Sequence, residues 1–143
     1  GDSFEGKRDS LVIRLLCETG LKINDILEIE KDMLETYEYK NITTTKGKRV
    51  YSEPISEKLG SDLKNYIEML KNPEEKRVFG QLSRQGFRAR FISYGKKAGI
   101  KQEISPNMIK RISIEIKDKH GNDDISFIEK IREAYMKIGI GDD

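Results

Sequence analysis

Three observations predict a mainly α-helical chain with one small antiparallel β-hairpin, an α+β fold. Apolar residues recur every three to four positions through most of the sequence, the period of a single buried helix face. β-branched and aromatic residues concentrate in just one pair of segments, Tyr37–Thr44 and Arg49–Ile55, separated by Thr45-Lys46-Gly47-Lys48. Glycine there offers the positive φ that a tight hairpin turn needs. Finally, 143 residues of which 36% are hydrophobic can enclose one core but not two of ordinary size. Residues 1–143 are therefore read as one domain, with an ordered core over roughly 8–138.

The elements follow in order. Leu11, Val12, Leu15, Leu16 and Thr19 keep helical spacing, and Gly20 stands where a helix commonly stops in the left-handed conformation. Asn24 is expected to cap a second, short helix with Ile26 and Leu27 facing inward. In the hairpin, Pro54 lacks a backbone donor and belongs at an edge or a strand end. Ser56 caps a helix carrying Leu59, Leu63, Ile67 and Leu70, ended by Asn72-Pro73. Ser83 opens the next, with Phe87, Phe91, Tyr94 and Ala98 as its buried stripe; Arg84, Arg88 and Arg90 lie off it, free to follow a phosphate backbone.

Ser105 and Pro106 suit the N-cap and first position of a further helix. Its core face is Ile109, Ile112 and Ile116, and it closes near Lys119-His120-Gly121. Asn107 and Lys110, three apart, leave one face near the positive end of the helix dipole, a face suited to a phosphate. A last helix is signalled by Asp123, Asp124 and the capping box Ser126-Phe127-Ile128-Glu129. Its inner stripe is Ile128, Ile131, Tyr135 and Ile138, so Tyr135 is read as core.

Composition excludes several classes. With 27 basic and 25 acidic residues the formal charge is only +2, so any nucleic-acid surface must be local. The single Cys17, in an apolar run, excludes an intramolecular disulfide and reads as a small buried hydrophobe. Neither a metal-ligand cluster nor a cofactor motif is present, and none is expected. Gly1 to Arg8 is polar, unlike a secretory signal, and no apolar run approaches the span of a bilayer. The expectation is an unsecreted protein without a membrane segment, cytoplasmic and nucleoid-associated or nuclear. His120 reads as helix-end polarity.

Ser105-Pro106-Asn107 with Lys110 resembles the Ser-Pro-His, followed three residues later by Arg, that opens a catalytic helix in tyrosine recombinases, the phage-integrase family. The run Thr19-Gly20-Leu21-Lys22-Ile23-Asn24-Asp25-Ile26-Leu27 is similar to that family's Thr-Gly-Leu-Arg-Ile signature followed by a polar residue, an acid and Leu. Lys46-Gly47 matches its Lys-Gly hairpin turn, whose lysine reaches the minor groove beside the scissile phosphate. The resemblance spans nearly the whole chain, in the right order. It implies that family's catalytic-domain fold, without the usual separate N-terminal core-binding domain.

It also implies how the chemistry would run, and where this sequence departs from it. The family attacks a DNA phosphodiester with tyrosine and stabilises the transition state with two arginines, a lysine and His or Trp positions. The two arginine positions are Lys22 and Lys110 here, and an ammonium cannot offer the planar paired donors of a guanidinium. Asn107, at the first histidine position, has no titrating group with which to act as acid or base. The Gly-His pair of the family's last helix falls near Glu133-Ala134, and its tyrosine near Gly139 to Asp143, where none stands.

With Lys22, Lys46, Asn107 and Lys110 as degenerate positions, the expectation is a domain that binds double-stranded DNA without cutting it. Lys22, Lys46, Lys48, Arg49, Arg84, Arg88, Asn107, Lys110 and Arg111 are its candidate DNA-contacting residues. An alternative is a protein-interaction or assembly domain, homo-oligomeric or with another protein, docking through the C-terminal helix where Ile138 and Ile140 form an apolar tail. A second alternative is an active recombinase whose tyrosine is supplied in trans or lies beyond this sequence. Acids such as Asp25 or Glu133 turned into the lysine cluster would weaken its field and favour the protein-interaction reading.

Overall fold

The computed structural model describes residues 4–46, 48–101, 103–109, 133–135 and 137. Its elements are α1 (Phe4–Thr19), α2 (Ile23–Leu27), α3 (Lys31–Thr36), β1 (Asn41–Lys46), β2 (Arg49–Pro54), α4 (Glu57–Met69) and α5 (Arg84–Lys97). Residues 106–109 and 133–135 are also helical. This is the mainly helical chain with one two-stranded antiparallel sheet that the periodicities predict.

Helix α1 is the axis of the fold. Leu11 through Cys17 are all buried, as expected of a helix covered on every side. It begins earlier than its apolar stripe because Arg8 and Asp9 join the interior as an ion-paired couple. Arg14, also buried, is held by Asp62 of α4 at 2.6 Å. At the C-terminal end Gly20 has φ of 71°. The Thr19 hydroxyl donates to the Leu15 carbonyl at 2.7 Å and accepts from the Leu21 amide at 3.1 Å, fixing the exit.

The second helix departs from expectation. Its N-cap is Lys22, with no side-chain cap bond, and Asn24 lies inside the helix. Helices α2 and α3 are separated because Ile29 and Lys31 pair with the 76–78 segment: the Val78 amide donates to the Ile29 carbonyl at 3.0 Å and the Lys31 amide to the Lys76 carbonyl at 2.9 Å. The helix at Lys31–Thr36 departs from the sequence pattern, which predicts none there.

Tyr37 to Lys40, expected as strand, form a turn instead. Glu38 and Tyr39 have positive φ, and the Tyr39 amide donates back to the Leu34 carbonyl at 2.8 Å. Local closure of the α3 terminus thus overrides the β preference of two tyrosines. Helix α4 packs so close to this turn that a Cβ on Gly60 would strike the Tyr39 carbonyl.

The hairpin register runs from Asn41 opposite Pro54 to Lys46 opposite Arg49, so Pro54 sits at a strand end and Ile55 outside the strand. Ser56 caps α4 by accepting from the Leu59 amide at 3.2 Å. Glu18 in turn accepts from the Ser56 amide at 2.8 Å and its hydroxyl at 3.0 Å, joining α4 to the end of α1. Leu59, Leu63 and Tyr66 are the buried side chains of α4, while Ile67 and Leu70 are only partly covered. The helix ends at Met69, short of Asn72-Pro73.

Ser83 caps α5 through the Gly86 amide at 3.0 Å. Phe87 and Phe91 are fully buried, Tyr94 partly so, and Ala98 is exposed, so the stripe ends a turn earlier than predicted. Ile104, Ile109 and Tyr135 complete the core. Expectations for Gly47, Lys110, Arg111, Ile112, Ile116, Lys119 to Gly121, Asp123, Asp124, the 126–129 capping box, Ile131, Ile138 and Ile140 lie outside the described residues.

Candidate nucleic-acid interface

The α1–α2 corner assembles the first group of cations. The Gly20 turn leaves Lys22 exposed at the start of α2. Two residues later Asn24 Oδ1 accepts a hydrogen bond from Arg84 Nη1 at 3.4 Å, bringing the start of α5 to this corner. Arg88, four residues beyond Arg84 and exposed, lies on the same helix face. Arg84 and Arg88 therefore share one face of α5 at this corner, and exposed Lys22 stands two residues before Asn24. Asn24 was expected to cap a helix; its role as acceptor for Arg84, 60 residues away, has no signal in the local sequence.

Arg90 does not belong to this group. Two residues past Arg88, it leaves the opposite side of α5, where Nε and Nη2 donate to the two Asp9 carboxylate oxygens at 2.7 and 3.1 Å. The Tyr94 hydroxyl donates to Asp9 at 2.5 Å. Burial, with the Asp9 bond and charge behind it, pushes the Tyr94 phenol up to about 12. Only 1% of Asp9 is exposed, so this guanidinium neutralises a core acid and is withheld from any external phosphate.

The hairpin carries the second group. Lys48 and Arg49 are exposed at its turn, followed by Val50 and Tyr51, 63% and 43% exposed. The backbone of Lys46 closes the ladder opposite Arg49. No hydrogen bond or ion pair among the described residues ties the Lys48 or Arg49 side chain to the body of the protein. In the third group, the Ser105 carbonyl accepts from the Met108 amide at 3.0 Å, opening the 106–109 helical turn. Pro106 and Ile109 face the core and Asn107 is exposed, so the turn presents the predicted polar position outward. Lys110 and Arg111 lie outside the described residues.

Tyr135 is core, as its spacing predicts. It is 0% exposed and its ring stacks on Phe91 with centroids 4.2 Å apart and planes 9° from parallel. Its hydroxyl donates to the Phe91 carbonyl at 3.3 Å and lies 3.5 Å from the Ile104 carbonyl. Burial, aided by Cys17, pushes the phenol up to about 12. Asp25 lines a cleft of about 630 Å³ together with Glu28, Glu30 and Glu74, and Lys22 is not among its lining residues; Glu133 is exposed. Among the described residues no cluster of acids, His or Cys is placed to hold a metal, and no helix is long and apolar enough to cross a membrane.

Comparison with known proteins agrees with this architecture. The model of the family described as "Phage integrase family" matches residues 3–129. The chain is 28% identical over 112 residues to a protein named tyrosine recombinase from Pseudothermotoga lettingae, covering 76% of this chain and 39% of that one. Its fold is similar to the crystal structure of XerA recombinase, with a TM-score of 0.63 at 16% identity, over 94% of this chain and 57% of the other. The chain thus spans well under two thirds of either protein's length.

Proposed function

The chain belongs to the phage integrase family, and we propose that this tyrosine-recombinase-like domain binds double-stranded DNA through phosphate contacts without cutting it. The observation that carries the reading is two exposed cationic groups, one of them with lysine at the family's first arginine position. Arg84 is hydrogen-bonded at the α2–α5 corner to Asn24, two residues from exposed Lys22, and Lys48 and Arg49 project from the hairpin, while Tyr135 is stacked inside the core. A lysine at the first arginine position still neutralises phosphate as a point charge, but it gives the transition state no planar donor pair. Exposed Asn107 can donate a hydrogen bond to a phosphate, and it cannot exchange a proton near neutral pH.

Two measurements test the two halves separately. Fluorescence anisotropy of a labelled duplex, titrated at several salt concentrations, is expected to show affinity falling steeply with salt, and a Lys22→Ala/Lys48→Ala/Arg84→Ala variant to show a shallower slope. A salt-independent or absent signal removes the DNA-binding half. A nicked suicide duplex is expected to give no covalent protein–DNA adduct; any adduct removes the claim of inactivity.

A second reading, a protein-contact domain, has one observation in its favour. A groove of about 440 Å³ lies between the start of α1 and the end of α4, where Phe4 and Met69 keep 45% and 48% of their surface exposed. Self-association detected by light scattering and abolished by Met69→Glu, with no duplex binding, would establish that reading instead.

A further inference from the structure

The hairpin presents more than charge. Side chains alternate between the two faces of a strand, so Arg49 and Tyr51 share one face of β2 and Val50 leaves the other, with Lys48 in the turn just before the strand. All four are exposed. Neither apolar side chain is accounted for by folding. Val50 stands opposite exposed Thr45, Tyr51 opposite half-buried Thr44, and among the described residues no third strand adjoins β2. β2 stays uncovered along its length, with only Glu53 partly shielded.

An uncovered β-branched and aromatic pair on a strand edge invites unwanted pairing. Its retention beside two cations with no side-chain partner among the described residues matches a polyanion that also offers apolar surface. Duplex DNA has that composition, with phosphates outermost and deoxyribose and base edges beneath. A two-stranded ribbon is narrow enough to enter a groove, and apolar side chains on such elements contact sugars or wedge at base steps.

We infer that Val50 and Tyr51 make apolar contact with the sugars and base edges of the duplex, so that the hairpin supplies a part of the affinity that does not depend on salt. This rests on the DNA-binding reading above and assigns to it two residues that carry no charge. Lys48 and Arg49 set the ribbon against the phosphates, and the apolar pair, one and two residues further along β2, lies where the groove wall is. The Tyr51 ring gives area with little conformational entropy to lose, and its contact discriminates by how readily a step deforms.

The experiment follows affinity against salt for the whole protein on one labelled duplex, comparing Val50→Ser, Tyr51→Ser and Tyr51→Phe with Lys48→Ala. Removing a phosphate contact flattens the line; removing an apolar contact lowers it in parallel. Val50→Ser and Tyr51→Ser are expected to weaken binding by about five- to tenfold at every salt concentration with the slope unchanged. Tyr51→Phe is expected to restore the wild-type line. Circular dichroism checks that the hairpin variants remain folded, and the conservative Val50→Ala serves if a serine variant does not. If wild type binds and both serine variants retain its affinity within twofold, the inference fails while the DNA-binding reading stands. If they change the slope instead, or their only effect is on self-association, the inference fails as well. Absence of binding by wild type removes the reading beneath it.

Discussion

The seam between α1 and α5 and the β-hairpin are built from similar residues and put them to opposite uses. In the seam, Asp9, itself only 1% exposed, takes two hydrogen bonds from Arg90 and one from Tyr94, with Arg8 3.9 Å away and Arg90 and Tyr94 half-buried around it. On the hairpin, Lys48, Arg49 and Tyr51 stand in solvent. A charge in the first setting must be matched inside the protein, because an unpaired ion there is very costly. A charge in the second costs little and remains free to meet a ligand. The contrast is sharpest along α5, where Arg88 is exposed and Arg90, two residues on, is bound to Asp9. A count of arginines does not separate the two; the side of the helix from which each departs does.

The largest effect is expected where the seam is opened. Asp9→Ala would leave Arg90 partly buried without its carboxylate and Tyr94 without its acceptor, at about 3–5 kcal/mol of stability. Urea denaturation measures it directly. A loss below about 1 kcal/mol would mean that Arg90 simply turns out to solvent, and the distinction between the two regions would weaken.

Next in size is the aromatic end of the same seam. Gly95 lies against the Tyr135 hydroxyl, which a Cβ would strike, and Tyr135 is pinned by the Phe91 ring. Gly95→Ala is expected to lower stability by about 1–3 kcal/mol through overpacking, read as a fall in the thermal midpoint. Adding Tyr135→Phe removes the clashing oxygen and should recover part of the loss. Additive losses in the double variant would show that the strain lies elsewhere.

How far the sequence foretold these regions depends on the range of the interactions. Serine caps at Ser56 and Ser83, the stop at Gly20 and the core place of Tyr135 are legible because each is a local rule acting within a turn or two. Family phrases such as Thr19-Gly20-Leu21 and Ser105-Pro106 placed the corner and the 106–109 turn for the same reason. Asn24 as partner of Arg84, and Asp9 as partner of Arg90, join residues 60 and 81 positions apart, and no window of sequence holds both ends. The turn at Glu38 and Tyr39 departs from the expected strand because residues that favour strands are used there to close α3. Exposure of Val50 and Tyr51 follows from a sheet of two strands, which the single pair of β-rich segments already implied.

A smaller effect separates ion pairing at the α1–α4 contact from that at α5. Burial disfavours ionised Asp62, yet hydrogen bonds from Arg14 and Lys58 outweigh it and hold the carboxyl below its ordinary 3.8. A lowered folded value stabilises the protein above the unfolded pKa, and that stability is lost as pH falls through the folded one. Stability is thus expected to drop below pH 3.8, and Asp62→Asn to lower stability at neutral pH by roughly 1 kcal/mol while flattening the acid limb. An unchanged acid limb in the variant would assign acid sensitivity to other carboxylates.

The smallest effect on the fold is expected on the hairpin, where it decides the most about function. Lys48→Ala and Arg49→Ala remove side chains with no partner among the described residues, so stability should stay within about 0.5 kcal/mol of wild type. Each should nevertheless lower the dependence of duplex affinity on salt by about one unit of slope, the signature of one lost phosphate contact. Arg88→Ala should behave in the same way, whereas Arg90→Ala should destabilise the protein like the loss of Asp9. Measured as a set of four, these variants place each cation either inside the fold or on its binding surface. If Lys48→Ala and Arg49→Ala leave the slope untouched while Arg88→Ala reduces it, DNA lies along α5 alone, and the hairpin must serve another partner.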